Sequence, residues 1–145
     1  MYRQKNNQLE FFLVHPGGPF YAKKDLGVWD LPKGEVQAGA ELFAEAQREF
    51  EEETGIKPPE NLSAYLPLGT ITMKSGKIVH AWAFEKDFEG TIKSNTCEIE
   101  WPPMSGKKIE IPEVDRGEFF NLAAAQQKAI SSIFELLLRL DTALK

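Results

Sequence analysis

Between Gly34 and Ile56 the chain reads GEVQAGAELFAEAQREFEEETGI, and from Glu41 to Thr54 the apolar spacing is helical. On a wheel of about 100° per residue, Glu45, Glu52 and Glu53 fall within about 60° of Glu49, beside a stripe of Leu42, Phe43, Ala46 and Phe50. That placement is unfavourable. The i,i+4 pairs Glu45/Glu49 and Glu49/Glu53 each cost roughly 0.2–0.5 kcal/mol when exposed, and more when partly desolvated. Arg48 offsets this locally, one turn from Glu52, whereas Glu51 lies on the far side of the wheel. A solvated acidic face is the common explanation of helix glutamates. The alternative is a divalent metal site, since hard cations take oxygen ligands and relieve the mutual repulsion of clustered carboxylates. The ligands would come from successive helical turns, unlike the loop positions of an EF-hand.

The elements that must position this helix are legible in outline. "LEFFLV" from Leu9 to Val14 predicts a strand that stops at "HPGGP", with His15 as a loop residue. "VWDLP" is a second short extended piece, because Pro32 disfavours helix in the residue before it. Thr54-Gly55, followed by Pro58-Pro59, ends the helix. Ala64 to Met73 and Ile78 to Phe84 predict a hairpin turning at "KSGK". "KKIEIPEV" is one more strand, between the irregular "EWPPMSG" and a loop carrying Asp115 to Glu118. Leu122 to Leu140 has one packed helical face, broken near Ser131-Ser132. Strands first, a helix between them and a helix last predict a mixed α/β or α+β domain.

At 145 residues the chain suits one domain, residues 1–145, and its 42% hydrophobic and 11% aromatic content excludes a disordered class. The net charge of −5 argues against a nucleic-acid polymer or an anionic membrane as partner and favours a metal or a metal-chelated anion. Cys97 is the only cysteine, so no intramolecular disulfide or cysteine-based zinc site is expected and a cytoplasmic setting is. No apolar run reaches the roughly 20 residues of a spanning helix, and "MYRQKNNQ" lacks the apolar core of a signal peptide. The composition carries no signal of oligomeric state.

The stretch from Gly34 to Ile56 resembles the Nudix box, G-x5-E-x7-R-E-U-x-E-E-x-G-U with U bulky and aliphatic or aromatic. Gly34, Arg48, Glu49, Phe50, Glu52, Glu53, Gly55 and Ile56 stand in register; Ala40, with Glu41 beside it, replaces the first glutamate. The resemblance implies a Nudix-type α/β/α sandwich with a mixed β-sheet and a C-terminal helix. It also implies a first strand that is short or missing, given the start of the chain. The implied activity is Mg²⁺-dependent hydrolysis, with Mn²⁺ as a substitute, of a pyrophosphate bond in a nucleoside or dinucleoside polyphosphate. A non-hydrolytic Nudix domain that binds nucleotide or metal as a regulator is the alternative, and Ala40 is the feature that favours it.

Carried over by the same resemblance, Glu49, Glu52 and Glu53 would be metal ligands, with Gly34 offering close backbone approach or its carbonyl. Arg48 would orient Glu49. One of the helix glutamates, or a carboxylate from another loop, would be the base; Glu118 is the first choice there and Glu113 the second. Glu41 or Glu45 could stand in for the missing glutamate. Lys23, Lys24 and Lys33 could contact phosphates, solvated lysines being the alternative. "WDLPKG" is similar to the lead-in of the diadenosine polyphosphate hydrolase branch. On the strand from Ile78, the residues His80, Trp82 and Phe84 share one face, where a nucleobase could stack on such aromatics, packing of the sheet on the C-terminal helix being the commoner explanation of each.

Overall fold

The computed structural model describes residues 1–36 and 39–145. Strand β1, Tyr2–Lys5, is short but present. It turns through Asn6 and Asn7, both at positive φ (53° and 61°), into β2, Gln8–Pro16. Asparagine tolerates that left-handed geometry, which the tight two-residue hairpin requires. The other side of β2 pairs antiparallel with β7, Val114–Asn121. Strands β3, Leu66–Thr72, and β4, Ile78–Ala83, form the expected hairpin. The end of β4 joins β1 in parallel, because Tyr2 N–H donates to Phe84 O (3.0 Å) and Lys86 N–H to Tyr2 O (2.9 Å). A parallel junction between antiparallel ladders makes the sheet mixed.

Helix α1, Leu42–Thr54, covers one face of this sheet; α2, Leu122–Lys128, and α3, Ser131–Ala143, cover the other. Strand β2 shows why. Phe12 and Val14 pack with Phe50 of α1 and Phe84. Phe11 and Leu13 pack with Trp29, Ala125, Leu137 and Leu140. A strand buried on both faces reads as a continuous apolar run, which is what "FFLV" is. Ile71 and Ala81 extend the second layer onto Ile133 and Leu136 of α3. The outcome is the expected α/β/α sandwich.

One expectation about these elements needs correction. Asp115 to Glu118 lie in β7, not in a loop. Their polar run hides a strand because Gly117 has no room for a side chain, a Cβ there falling 2.4 Å from Phe12 Cζ, while Arg116 lies over the Trp29 ring. Thr96–Glu100, which the sequence pattern left unassigned, is also a strand, β5, paired with β6, Lys108–Pro112, in a hairpin of alternating half-exposed residues. The C-terminal helix breaks at Ala129-Ile130, immediately before Ser131 and so near the expected point, where Trp29 N–H donates to Lys128 O and Ile130 N–H to Trp29 O. That extended bridge occupies the backbone groups that a continuous helix would use. Among the described residues no helix is long and apolar enough to cross a membrane.

Candidate active site

Glu41 caps α1, its carboxylate accepting from Phe43 N–H (3.2 Å) and Ala44 N–H (2.7 Å). The first turn is thereby satisfied by the residue next to Ala40, so this carboxylate serves the helix end. Gly55 closes the other end at φ 73°, its N–H bonded to Glu51 O. Between these stops Arg48 gathers three carboxylates: Glu45 at 2.5 Å, Glu49 at 2.8 Å and Glu52 at 2.7 Å. Hydrogen bonding to Arg48 holds the Glu45 carboxyl below the usual range.

Glu49 and Glu53 point inward. Glu53 is buried and accepts Lys33 N–H at 3.1 Å. Burial pushes its carboxyl up to about 8, and repulsion from Glu113 and Glu49 adds to the rise against the Lys33 hydrogen bond. Glu49 is raised too, by burial first, with Glu52 and Glu113 adding and Arg48 opposing. Gly34 lies directly against it: a Cβ at Gly34 would sit 2.0 Å from Glu49 Cδ. The glycine is therefore demanded by the carboxylate it faces.

Glu113, at the junction of β6 and β7, repels the charge of both Glu49 and Glu53 from outside the helix and lines the same two clefts. Its backbone is pinned by Glu113 N–H to Asn95 O and by Gly17 N–H to Glu113 O, both 3.0 Å. Glu118 is not brought to the cluster. It pairs with Leu13 in register, so it lies on the α2/α3 face of the sheet and is exposed. Strand periodicity separates Glu118 from the helix carboxylates, a separation that a loop over residues 115–118 would not impose.

Two clefts flank the cluster, of about 950 and 550 Å³, and Leu31, Lys33 and Glu113 line both. The Lys33 ammonium is 2.7 Å from Asp30 Oδ2. Trp82 lines the larger cleft with its ring 5.4 Å from Phe43 of α1, while Val79 and Ala81 face α3. Its packing partner is thus the acidic helix, not the C-terminal one. Lys24 lines neither cleft; its ammonium sits 5.5 Å over Tyr21, which lines the smaller one. His15 is fully buried at the end of β2, contrary to the loop expectation. Its Nε2–H donates to Lys24 O (2.7 Å) and Nδ1 stands 2.8 Å from Asp115 Oδ1, where a bulge interrupts the β2–β7 register.

As they stand, no three acidic, histidine or cysteine side chains among the described residues converge closely enough to hold an ion. The donor chemistry nevertheless fits a hard divalent cation. Glu49 and Glu53 offer oxygen donors whose burial, with repulsion from Glu113, disfavours their charged form until a positive charge joins them. Arg48 supplies part of that charge from the side, and Gly34 leaves the approach to Glu49 open on the backbone side.

A family model described as NUDIX domain matches residues 2–133. A search of curated proteins finds no significant match. Among solved structures, a C. elegans Ap4A hydrolase in a binary complex superposes with a TM-score of 0.68 at 20% identity, covering 99% of this chain and 92% of that one. The NUDIX domain of Shewanella oneidensis NrtR complexed with ADP ribose gives a TM-score of 0.67 at 17% identity, covering 99% and 83%. At these identities the likeness is one of fold.

Proposed function

We propose, from the premise that the chain belongs to the Nudix family, that it hydrolyses a pyrophosphate bond in a nucleoside or dinucleoside polyphosphate with Mg²⁺ as its cofactor. The observation that carries this reading is Glu49 packed against Gly34 one helical turn from the buried Glu53, on a wall between two clefts that Glu113 also lines. A divalent cation held by Glu49, Glu52 and Glu53, with the Gly34 carbonyl, would neutralise phosphate oxygens and acidify the attacking water.

The chain's own groups do the rest. Arg48 fixes the rotamer of Glu49 through a charge-assisted hydrogen bond of 2.8 Å. Glu113, held by its backbone, takes the proton of the attacking water on a carboxylate oxygen. Trp82 and Phe43 offer an aromatic wall for a nucleobase, and Lys33 sits between the clefts where the phosphates would pass. The names of the two structural neighbours, one an Ap4A hydrolase and one bound to ADP ribose, support a nucleotide with a second group beyond its phosphates. The enzyme would work as one domain over residues 1–145, on a small molecule, in the cytoplasm, a setting the single cysteine supports.

The test is product analysis after incubation with nucleoside triphosphates, oxidised deoxyguanosine triphosphate, nucleotide sugars and diadenosine polyphosphates, with and without Mg²⁺. Metal-dependent cleavage of one class is expected. Binding without cleavage across the panel would instead support the non-hydrolytic reading, which Ala40 favours, and Ala40→Glu would then be the variant to examine.

A further inference from the structure

The larger cleft is lined by an exposed ion pair that the hydrolytic chemistry does not use. Lys77 closes the β3–β4 turn, its carbonyl accepting Met73 N–H at 2.8 Å. Its ammonium donates to Glu35, the residue after Gly34. Both side chains line the cleft and both are well exposed, at 66% and 81%. An exposed pair of this kind contributes little to stability, so it exchanges readily.

The other charged groups of the cleft make the exchange directional. Lys33 is engaged by Asp30, and Glu45, Glu49 and Glu113 are acidic. A polyphosphate entering the cleft presents several negative charges to Lys77, where Glu35 presents one. We propose that Lys77 is a substrate-binding residue that exchanges Glu35 for a phosphate oxygen of an incoming nucleotide polyphosphate, with Glu35 as a tethered competitor that sets the affinity. The proposal rests on the nucleotide-hydrolase reading of the same site.

The experiment measures KM and kcat for diadenosine tetraphosphate in Mg²⁺, and calorimetric Kd for the same nucleotide in Ca²⁺. The proteins are the unaltered chain, Lys77→Met, Glu35→Gln, the double variant, and Lys107→Met as a remote control. Lys77→Met is expected to raise KM and Kd by about three- to tenfold, with kcat changed less. Glu35→Gln is expected to lower both by roughly two- to fivefold. In the double variant Glu35→Gln should add almost nothing, because Glu35 acts through Lys77.

Shifts of both single variants in the same direction would mean a structural strap and overturn the proposal. So would an undiminished gain from Glu35→Gln in the Lys77→Met background, which would make Glu35 a plain repulsive charge. An unaltered protein that binds without cleaving would overturn the hydrolytic reading, while opposite shifts in Kd would still support the exchange. Folded protein that neither binds nor cleaves the nucleotide overturns both.

Discussion

Gly34 and Glu49 are in contact in a way that makes a methyl group consequential. In Gly34→Ala the new Cβ must displace the Glu49 carboxylate, since 2.0 Å is far inside contact distance. Side-chain movement is cheap for stability but misplaces a reacting group, so kcat/KM should fall by roughly 10²-fold with little change in Tm. A loss of Tm with unchanged kcat/KM would contradict this. For the base, Glu113→Gln should lower kcat by about 10²–10⁴-fold, while Glu118→Gln on the opposite face stays within about threefold. The reverse ranking would return the role to Glu118. Glu53 offers a test of electrostatics without turnover. Its folded carboxyl lies near 8 against an ordinary 4.5, so the folded state holds the proton more tightly than the unfolded chain. The associated stability is complete below about 4.5 and is lost as pH rises through 8. In chelated protein, Glu53→Gln should therefore gain on the unaltered chain between pH 5 and pH 8.5, by at most about 5 kcal/mol. Urea unfolding at the two pH values reads the difference, and a gap that does not change with pH would show that Glu53 ionises normally.

At the scale of elements, α1 is specified at both ends by side chains whose other roles are limited by that duty. Glu41 spends its carboxylate on two backbone N–H groups, and Glu45 spends its own on Arg48. Glu41→Ala should cost about 1 kcal/mol in chemical denaturation and leave kcat within about twofold. A large fall in kcat with unchanged stability would instead make Glu41 part of the site. The helix, its stop at Gly55 and the β3–β4 hairpin were readable from period and turn residues. Strand β7 was not, because its inward positions are Gly117 and two aromatics flanked by charges that cover Trp29 and the sheet edge. The β5–β6 hairpin escaped for a related reason: its alternating residues are only half-buried, so its hydrophobic pattern is weak.

For the whole molecule, β2 is the layer on which both faces depend. Leu13 is completely buried between the sheet and the C-terminal helices, so Leu13→Ala should cost about 2–5 kcal/mol in denaturant unfolding. A cost below about 1 kcal/mol would mean that the layer collapses around the cavity. The same strand ends at His15, whose bonds to Asp115 and to the Lys24 carbonyl tie the loop of residues 17–28 to β7. That loop carries Tyr21 and leads to Asp30 and Lys33, and so helps shape the smaller cleft.

What the sequence determined by itself is what lies in one helix and its flanks. The register of Arg48, Glu49, Glu52 and Glu53, the glycine at 34 and the stop at 55 are local, because helical period and turn chemistry depend on neighbouring residues alone. Tertiary structure decided which distant groups meet them. It brought Glu113 to Glu53 and left Glu118 behind, turned Trp82 toward Phe43, and set Lys77 against Glu35 across 42 positions. Those choices follow from strand register and from which face of the sheet each side chain takes, and a one-residue shift reverses them all.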